Sequence, residues 1–246
     1  MNFSRLDFLA ASSDDDSLAR VRASYQRYDT DPSEQVRRDA TNPGLAKLIA
    51  EWHSRLVERL EGERDLDLSS ARILDLGCGT GELLGSLISA GAKPANCFGV
   101  DLMPSRVSAA SERLPGAHIS SGNAGVLEFG SGEFDLVCMS MIISSILSDE
   151  LSKSVCEEAI RVLRPHGTVA WYDMRLPNPR NPEVRGIRKK DVRRLFPGAQ
   201  IELESITLLP PVARRLGRGT DWWYPKLSRV SALRGRYLGL ITKTER

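Results

Sequence analysis

The chain has 246 residues, is 41% hydrophobic and 27% charged, and carries a formal net charge of +2. Such a length suits one large domain, or a domain with an appendage, whose core needs no disulfide or metal to fold; the ordinary composition excludes collagen, coiled coil and wholesale disorder. The near-zero charge conceals a split, since residues 1–174 hold 17 basic and 26 acidic side chains while residues 175–236 hold 15 and 5. A basic C-terminal third predicts an anionic partner; the plainer reading is a solvated, partly paired surface.

Residues 1–16 are polar and acidic and are expected to be flexible. Residues 17–29 space Leu18, Val21 and Tyr25 as a short helix with Ser17 at its cap, and the Pro32 segment reads as a turn. From Pro43 to about residue 60, apolar residues recur every three or four positions behind Asn42, which predicts a capped amphipathic helix. These pieces form an expected helical cap over 17–69. Strands are expected at 71–76, 96–100, 117–120, 134–139 and 168–172, with helices at 82–90, 104–114 and 148–163 between them. This alternation implies βαβ units and a parallel sheet. After Tyr172 a Pro/Asn/Arg loop (174–187) leads to a basic helix (188–196). A strand (201–208), a short helix (210–216) and a last strand (237–242) follow. The fold class is therefore α/β: a doubly wound, mostly parallel sheet of seven strands over 70–246, with a basic acceptor-side insertion at 174–236.

Cys78, Cys97, Cys138 and Cys156 form no CxxC pair, and no His lies at zinc spacing from them. No metal is expected. Free buried cysteines, an N-terminus unlike a signal peptide and the lack of a run of about 20 apolar residues give a cytoplasmic expectation.

The most informative stretch is Ile73-Leu74-Asp75-Leu76-Gly77-Cys78-Gly79-Thr80-Gly81. A strand runs into Gly-x-Gly-x-Gly and a helix. Glycines permit positive φ and close approach of a ligand, and the helix start offers free N–H groups. Asp101 ends the next strand, where an acid can accept both hydroxyls of a ribose. A nicotinamide fingerprint would place its third glycine one position later. Asp75 would repel a pyrophosphate but suits a ligand bearing an amine.

On these residues the sequence resembles the class I S-adenosylmethionine-dependent methyltransferases over roughly 70–175. The resemblance implies their Rossmann-like fold and S-adenosylmethionine as cofactor. Asp75, Gly77, Cys78, Gly79 and Gly81 then form the loop under the methionine part. Asp101 holds the ribose, Leu102 flanks the adenine, and Asn123 and Ala124 stand where the family writes G-D-A. Ser140 follows the fourth strand, and Leu163-Arg164-Pro165-His166-Gly167 matches the L-R-P-G-G turn. The chemistry implied is methyl transfer to a hydroxyl of a small molecule or a sugar or glycan intermediate, anionic or lipid-linked.

The acceptor is expected beyond the carboxyl ends of the strands. Asp173 is the preferred base or substrate anchor, with a capping or Arg175-pairing role as the alternative. Tyr172 would orient a hydroxyl, and Arg175 would clamp a carboxylate or phosphate. Arg175, Arg180 and Arg185 are expected to face the crevice. Of the histidines, His53 is read as a helix-surface residue rather than a cofactor neighbour. Trp222, Trp223 and Tyr224 read as a pocket lid, an interfacial membrane anchor or a packed helix start. Two rivals stand: an RNA or protein methyltransferase using the basic third, which lacks an appended RNA-binding motif, and a non-catalytic cofactor-binding subunit.

Overall fold

The computed structural model describes the backbone of residues 5–244 and the side chains of 15–36 and 39–244. Three helices, α1 (Arg5–Thr30), α2 (Pro32–Arg38) and α3 (Pro43–Arg64), precede a seven-stranded sheet. Its strands are β1 (Ile73–Leu76), β2 (Cys97–Asp101), β3 (His118–Ser121), β4 (Phe134–Ser140), β5 (Leu163–Met174), β6 (Gln200–Leu208) and β7 (Arg234–Thr242). They lie in the order β3-β2-β1-β4-β5-β7-β6. β1 to β5 run parallel, and β7 is antiparallel to both its neighbours. The chain leaves β1 for β2 on one side and returns to β4 on the other. That switch opens a crevice beyond the carboxyl ends of β1 and β4.

Side-chain alternation divides the core between the two faces. Leu74, Leu76, Val137, Met139, Val169 and Trp171 pack on one face, against α6 (Asp149–Val162) and α7 (Lys189–Leu195). Ile73, Leu136, Cys138, Ala170 and Tyr172 pack on the other, against α3 and α4 (Glu82–Ser89). A strand covered on both faces must be apolar throughout, and all four residues of β1 are buried, Asp75 included. Helix α5 (Pro104–Arg113) joins β2 to β3.

Helix α3 starts as its sequence predicts. Asn42 accepts the N–H groups of Gly44 and Leu45, and Pro43 fills the first turn, where a missing N–H costs nothing. The helix binds the edge strand β6 through charge: Arg59 reaches Glu202, and Arg55 reaches Glu204. Helix α8 (Pro210–Arg215) packs on α3, and α9 (Thr220–Leu227) follows it.

Three expectations change. Helix α1 begins at Arg5, well before residue 17, because no Gly or Pro interrupts 5–30; Ser17 is internal, and residues 1–4 lie outside the described part. The Pro32 turn is a second helix, in which Asp31 accepts the Ser33 N–H at 2.8 Å and Pro32 starts the first turn. Strands β5 and β7 are longer than expected. β5 takes in the Leu163–Gly167 segment through an irregularity opposite Phe134–Leu136, and β7 takes in Arg234-Gly235-Arg236.

Candidate active site

At the end of β1 the chain turns through Gly77, Gly79 and Gly81, whose φ angles are 66°, 55° and 79°. L side chains rarely adopt these values. The Gly77 and Cys78 N–H groups donate to Val100 O at 2.8 and 3.1 Å, tying the turn to β2. Gly79 N–H donates to Asp101 Oδ2 at 2.8 Å, and Met103 N–H donates to Oδ1 at 2.9 Å. Asp101 is thereby fixed beside the turn. A Cβ on Gly79 would meet nothing within 4 Å, so that side of the loop is open to a ligand. A Cβ on Gly81 would stand 2.7 Å from Leu114 Cδ1, so this glycine serves helix packing instead.

Two cavities flank the turn. The smaller, about 80 Å³, is lined by Asp101, Leu102, Met103, Asn123, Ala124 and Ile142 among others, and α1 roofs it with Leu18, Val21 and Tyr25. Asn123 Oδ1 accepts the Gly125 N–H at 2.9 Å, which fixes its amide. Helix α1 is bolted in place over the cavity. Arg20 donates to Ser145 O at 2.7 Å and to Glu183 at 2.8 Å, and Arg106 pairs with Asp29. The larger cavity, about 760 Å³, is walled by the glycine turn, by Leu48, Ile49, Trp52 and His53 of α3, and by Met141, Tyr172 and Arg236. Gly77, Arg106 and Ser140 line both.

Asp75 lines the larger cavity and is 1% exposed. Its Oδ1 is buried without a hydrogen-bond partner. Burial, reinforced by the Asp101 charge, pushes its carboxyl well above the usual range. An orphaned carboxylate oxygen beside an open glycine turn fits a cationic ligand group, and an α-amino group is such a group. Across the cavity, Tyr172 stacks on Trp52, with centroids 4.3 Å apart and planes 6° apart. The Arg236 guanidinium lies 5.6 Å from the Tyr172 ring centre. Its Nε points at Met141 Sδ at 3.4 Å, and its Nη1 is buried with no partner. His53 Nδ1 lies 2.6 Å from Ser86 Oγ, and burial lowers the imidazole pKa to about 4, so the ring is uncharged at neutral pH.

Nine of the ten expected cofactor residues therefore line the two cavities, and Gly81 lines neither. The three expected catalytic residues do not gather. Tyr172 lines the larger cavity, but Asp173 is fully buried on the opposite face of β5, as strand alternation requires. Asp173 accepts the N–H groups of Ser144 and Met174 at 3.0 and 2.7 Å, the capping role without Arg175. Arg175 donates to Ser231 O at 3.2 Å and lies over Tyr237. Arg185 pairs with Asp149 at 2.6 Å, so it too is turned from the cavity. Of the aromatic trio, Tyr224 is 2% exposed while Trp222 and Trp223 are exposed, and none of them lines either cavity. His53 is a cavity residue, contrary to its surface reading, because α3 turns that face toward the glycine loop. Arg236 carried no signal in the sequence, where Arg-Gly-Arg has no strand pattern.

Among the described residues no cluster of His, Cys, Asp or Glu could hold a metal ion, and no helix is long and apolar enough to cross a membrane.

Residues 73–167 match a family described as a methyltransferase domain. An uncharacterized methyltransferase from Synechocystis is 35% identical over 107 residues, 44% of this chain and 49% of that protein. The chain thus spans about half the length of this relative. A 2-phytyl-1,4-naphtoquinone methyltransferase from Trichormus variabilis is 30% identical over 193 residues, 74% of this chain and 76% of that one. Among solved structures, the YcgJ protein of Bacillus subtilis superposes with a TM-score of 0.57 at 16% identity, covering 80% of this chain and all of that one, which shows a shared fold. The glycine turn with its orphaned acid thus sits in a fold and a sequence match that agree, and the chain belongs to the class I S-adenosylmethionine-dependent methyltransferases, with S-adenosylmethionine as its cofactor.

Proposed function

We propose that this methyltransferase acts on an oxygen of a small, ring-bearing, largely apolar acceptor that carries one acidic group. The observation that carries the reading is the larger cavity, where a Trp52–Tyr172 plate faces Arg236, whose Nη1 has no partner. S-adenosylmethionine supplies an electrophilic methyl carbon on a sulfonium. Asp75 would hold its amino group, and the Gly77-Cys78-Gly79 backbone would lie along its methionine part. Asp101 would accept the ribose hydroxyls, with Leu102, Asn123 and Ala124 around the adenine. Ser140 borders both cavities and so stands where the two halves of the cofactor would join. The enzyme's task is to hold nucleophile and methyl carbon in line, which by itself supplies much of the acceleration.

On the acceptor side, the buried Trp52–Tyr172 pair lines the cavity and would give a ring an apolar contact. Arg236 would bind the acidic oxygen and lower the pKa of a hydroxyl bonded to it. His53 lines the same cavity uncharged, but a pKa lowered to about 4 makes it a weak base, so the reading rests on Arg236 easing the loss of the proton rather than on His53. The phytyl naphtoquinone named for the Trichormus relative is likewise ring-bearing and apolar, but as a quinone it has no acidic group.

The test is methyl transfer from labelled cofactor into a panel of phenols and hydroxy acids, with Arg236→Gln alongside. A charge-assisted hydrogen bond is worth about 1.5–3 kcal/mol, so KM should rise roughly 10- to 150-fold. S-adenosylhomocysteine affinity should stay unchanged. An unchanged kcat/KM in the variant would sink the acceptor assignment.

A further inference from the structure

We propose that helix α9 is a peripheral membrane-docking element that lays Trp222, Trp223 and Lys226 on an anionic lipid surface. The helix buries Thr220 and Tyr224 against the protein and turns the indoles outward. Trp222 is 66% exposed and Trp223 51%, and Val230 just beyond the helix is 49% exposed. An indole is among the largest apolar surfaces a side chain can offer, and these two adjacent ones stay largely in water. Their place is an interface with one apolar and one wet side, which the headgroup boundary of a bilayer provides.

Charge selects the lipid. The Lys226 ammonium lies 3.3 Å from the Trp222 ring centre and 5.5 Å from that of Trp223, so the three side chains form one cluster. Residues 211–230 carry five cations, Arg214, Arg215, Arg218, Lys226 and Arg229, against one acid, Asp221. Among the described residues, Arg215, Arg218, Lys226 and Arg229 are exposed and have no carboxylate within 4.0 Å. No helix among these residues can span a bilayer, so the contact lies on the surface.

Position connects the surface to the chemistry. On the buried side of α9, Tyr224 donates to Glu51 of α3 at 2.5 Å and packs with Leu48. Leu48, Ile49 and Trp52, which surround Glu51 on α3, line the larger cavity. The docked helix therefore sits one side chain from the acceptor cavity, where a lipophilic acceptor could enter from the membrane.

The test is co-flotation of the full chain with phosphatidylcholine vesicles, with and without phosphatidylglycerol. Binding is expected on the phosphatidylglycerol vesicles and should weaken with salt. Brominated lipid should quench the emission of Trp222 and Trp223. Each cation at an anionic surface is worth roughly a fivefold change in partitioning, so Lys226→Glu with Arg229→Glu should cost at least about 25-fold. Trp222→Ser with Trp223→Ser should abolish quenching and weaken binding. Melting temperature and S-adenosylhomocysteine affinity should be unchanged in both variants, which separates this proposal from the assigned methyl transfer. Absence of vesicle binding, wild-type binding by the Trp variant, or preference for single-stranded RNA over vesicles would each overturn it.

Discussion

Asp75→Asn should make the cofactor-free protein more stable and the cofactor-bound protein weaker. Asp75 Oδ1 is buried without a partner, and burial and Asp101 together raise its pKa. An unsatisfied buried acceptor costs about 1–3 kcal/mol, and more when charged. The sign follows from linkage. A carboxyl whose folded pKa lies above its unfolded value favours folding only while protonated, so its cost appears as pH rises above 3.8, the ordinary value, toward the folded pKa. Asparagine keeps the volume and removes the charge. At pH 7.5 the variant without cofactor should gain about 1–2 kcal/mol, roughly 2–8 °C in Tm for a chain this long. The gain should shrink on acidification. Binding should move the other way. If Asp75 holds the cofactor's ammonium, its loss removes a charge-assisted hydrogen bond of about 1.5–3 kcal/mol, a 10- to 150-fold weaker Kd for S-adenosylhomocysteine by titration calorimetry. An unchanged Kd would refute the assignment, and a lower Tm without cofactor would refute the account of a buried charge that costs stability.

Two further outcomes follow from the packing. His53 falls from 6.5 to about 4 on folding because it is buried, so the unfolded chain binds the extra proton and stability is lost as pH falls from 6.5 toward 4. His53→Gln should flatten that part of the urea-unfolding profile, and an identical profile would show that another group is responsible. A Cβ on Gly44 would stand 1.9 Å from the Ala213 carbonyl oxygen, backbone against backbone, where α3 meets α8. Gly44→Ala should therefore lose about 1–2 kcal/mol net, overpacking less the helix propensity gained, as a lower urea midpoint. A midpoint equal to wild type would show that α8 moves freely on α3.

The sheet was legible because a buried parallel strand leaves a continuous apolar run, as in Ile73–Leu76, and because the glycine turn needs positive φ at fixed positions. The grouping of the expected cofactor residues around two cavities was legible for the same reason, since backbone geometry fixes it locally. The acceptor side was not. Asp173 and Tyr172 are neighbours in sequence, yet alternation along β5 sends them to opposite faces, and only the register of β5 with β7 brings Arg236 beside Met174. His53 looked like a surface residue because helical spacing shows which side of α3 is apolar but not that its margin borders a cavity. Such pairings depend on long-range contacts that no window of sequence contains.

The charge split resolves in the same way. Part of the basic third neutralises the acidic body, as Arg185 and Arg194 do at Asp149. Part ties loops together, as Arg234 does by donating to Ser228 O and Ser205 O. Part is exposed around α9. Two cations line the larger cavity, Arg106 and Arg236, and Arg106 is already paired with Asp29. A pyrophosphate or a nucleic-acid backbone demands several converging cations. One available guanidinium beside a stacked aromatic pair is instead matched to a single carboxylate, phenolate or acidic hydroxyl. On the proposed reading, the net charge of the basic third thus overstates the charge of the acceptor, and the field that would attract an anion at long range belongs to the surface around α9 rather than to the cavity.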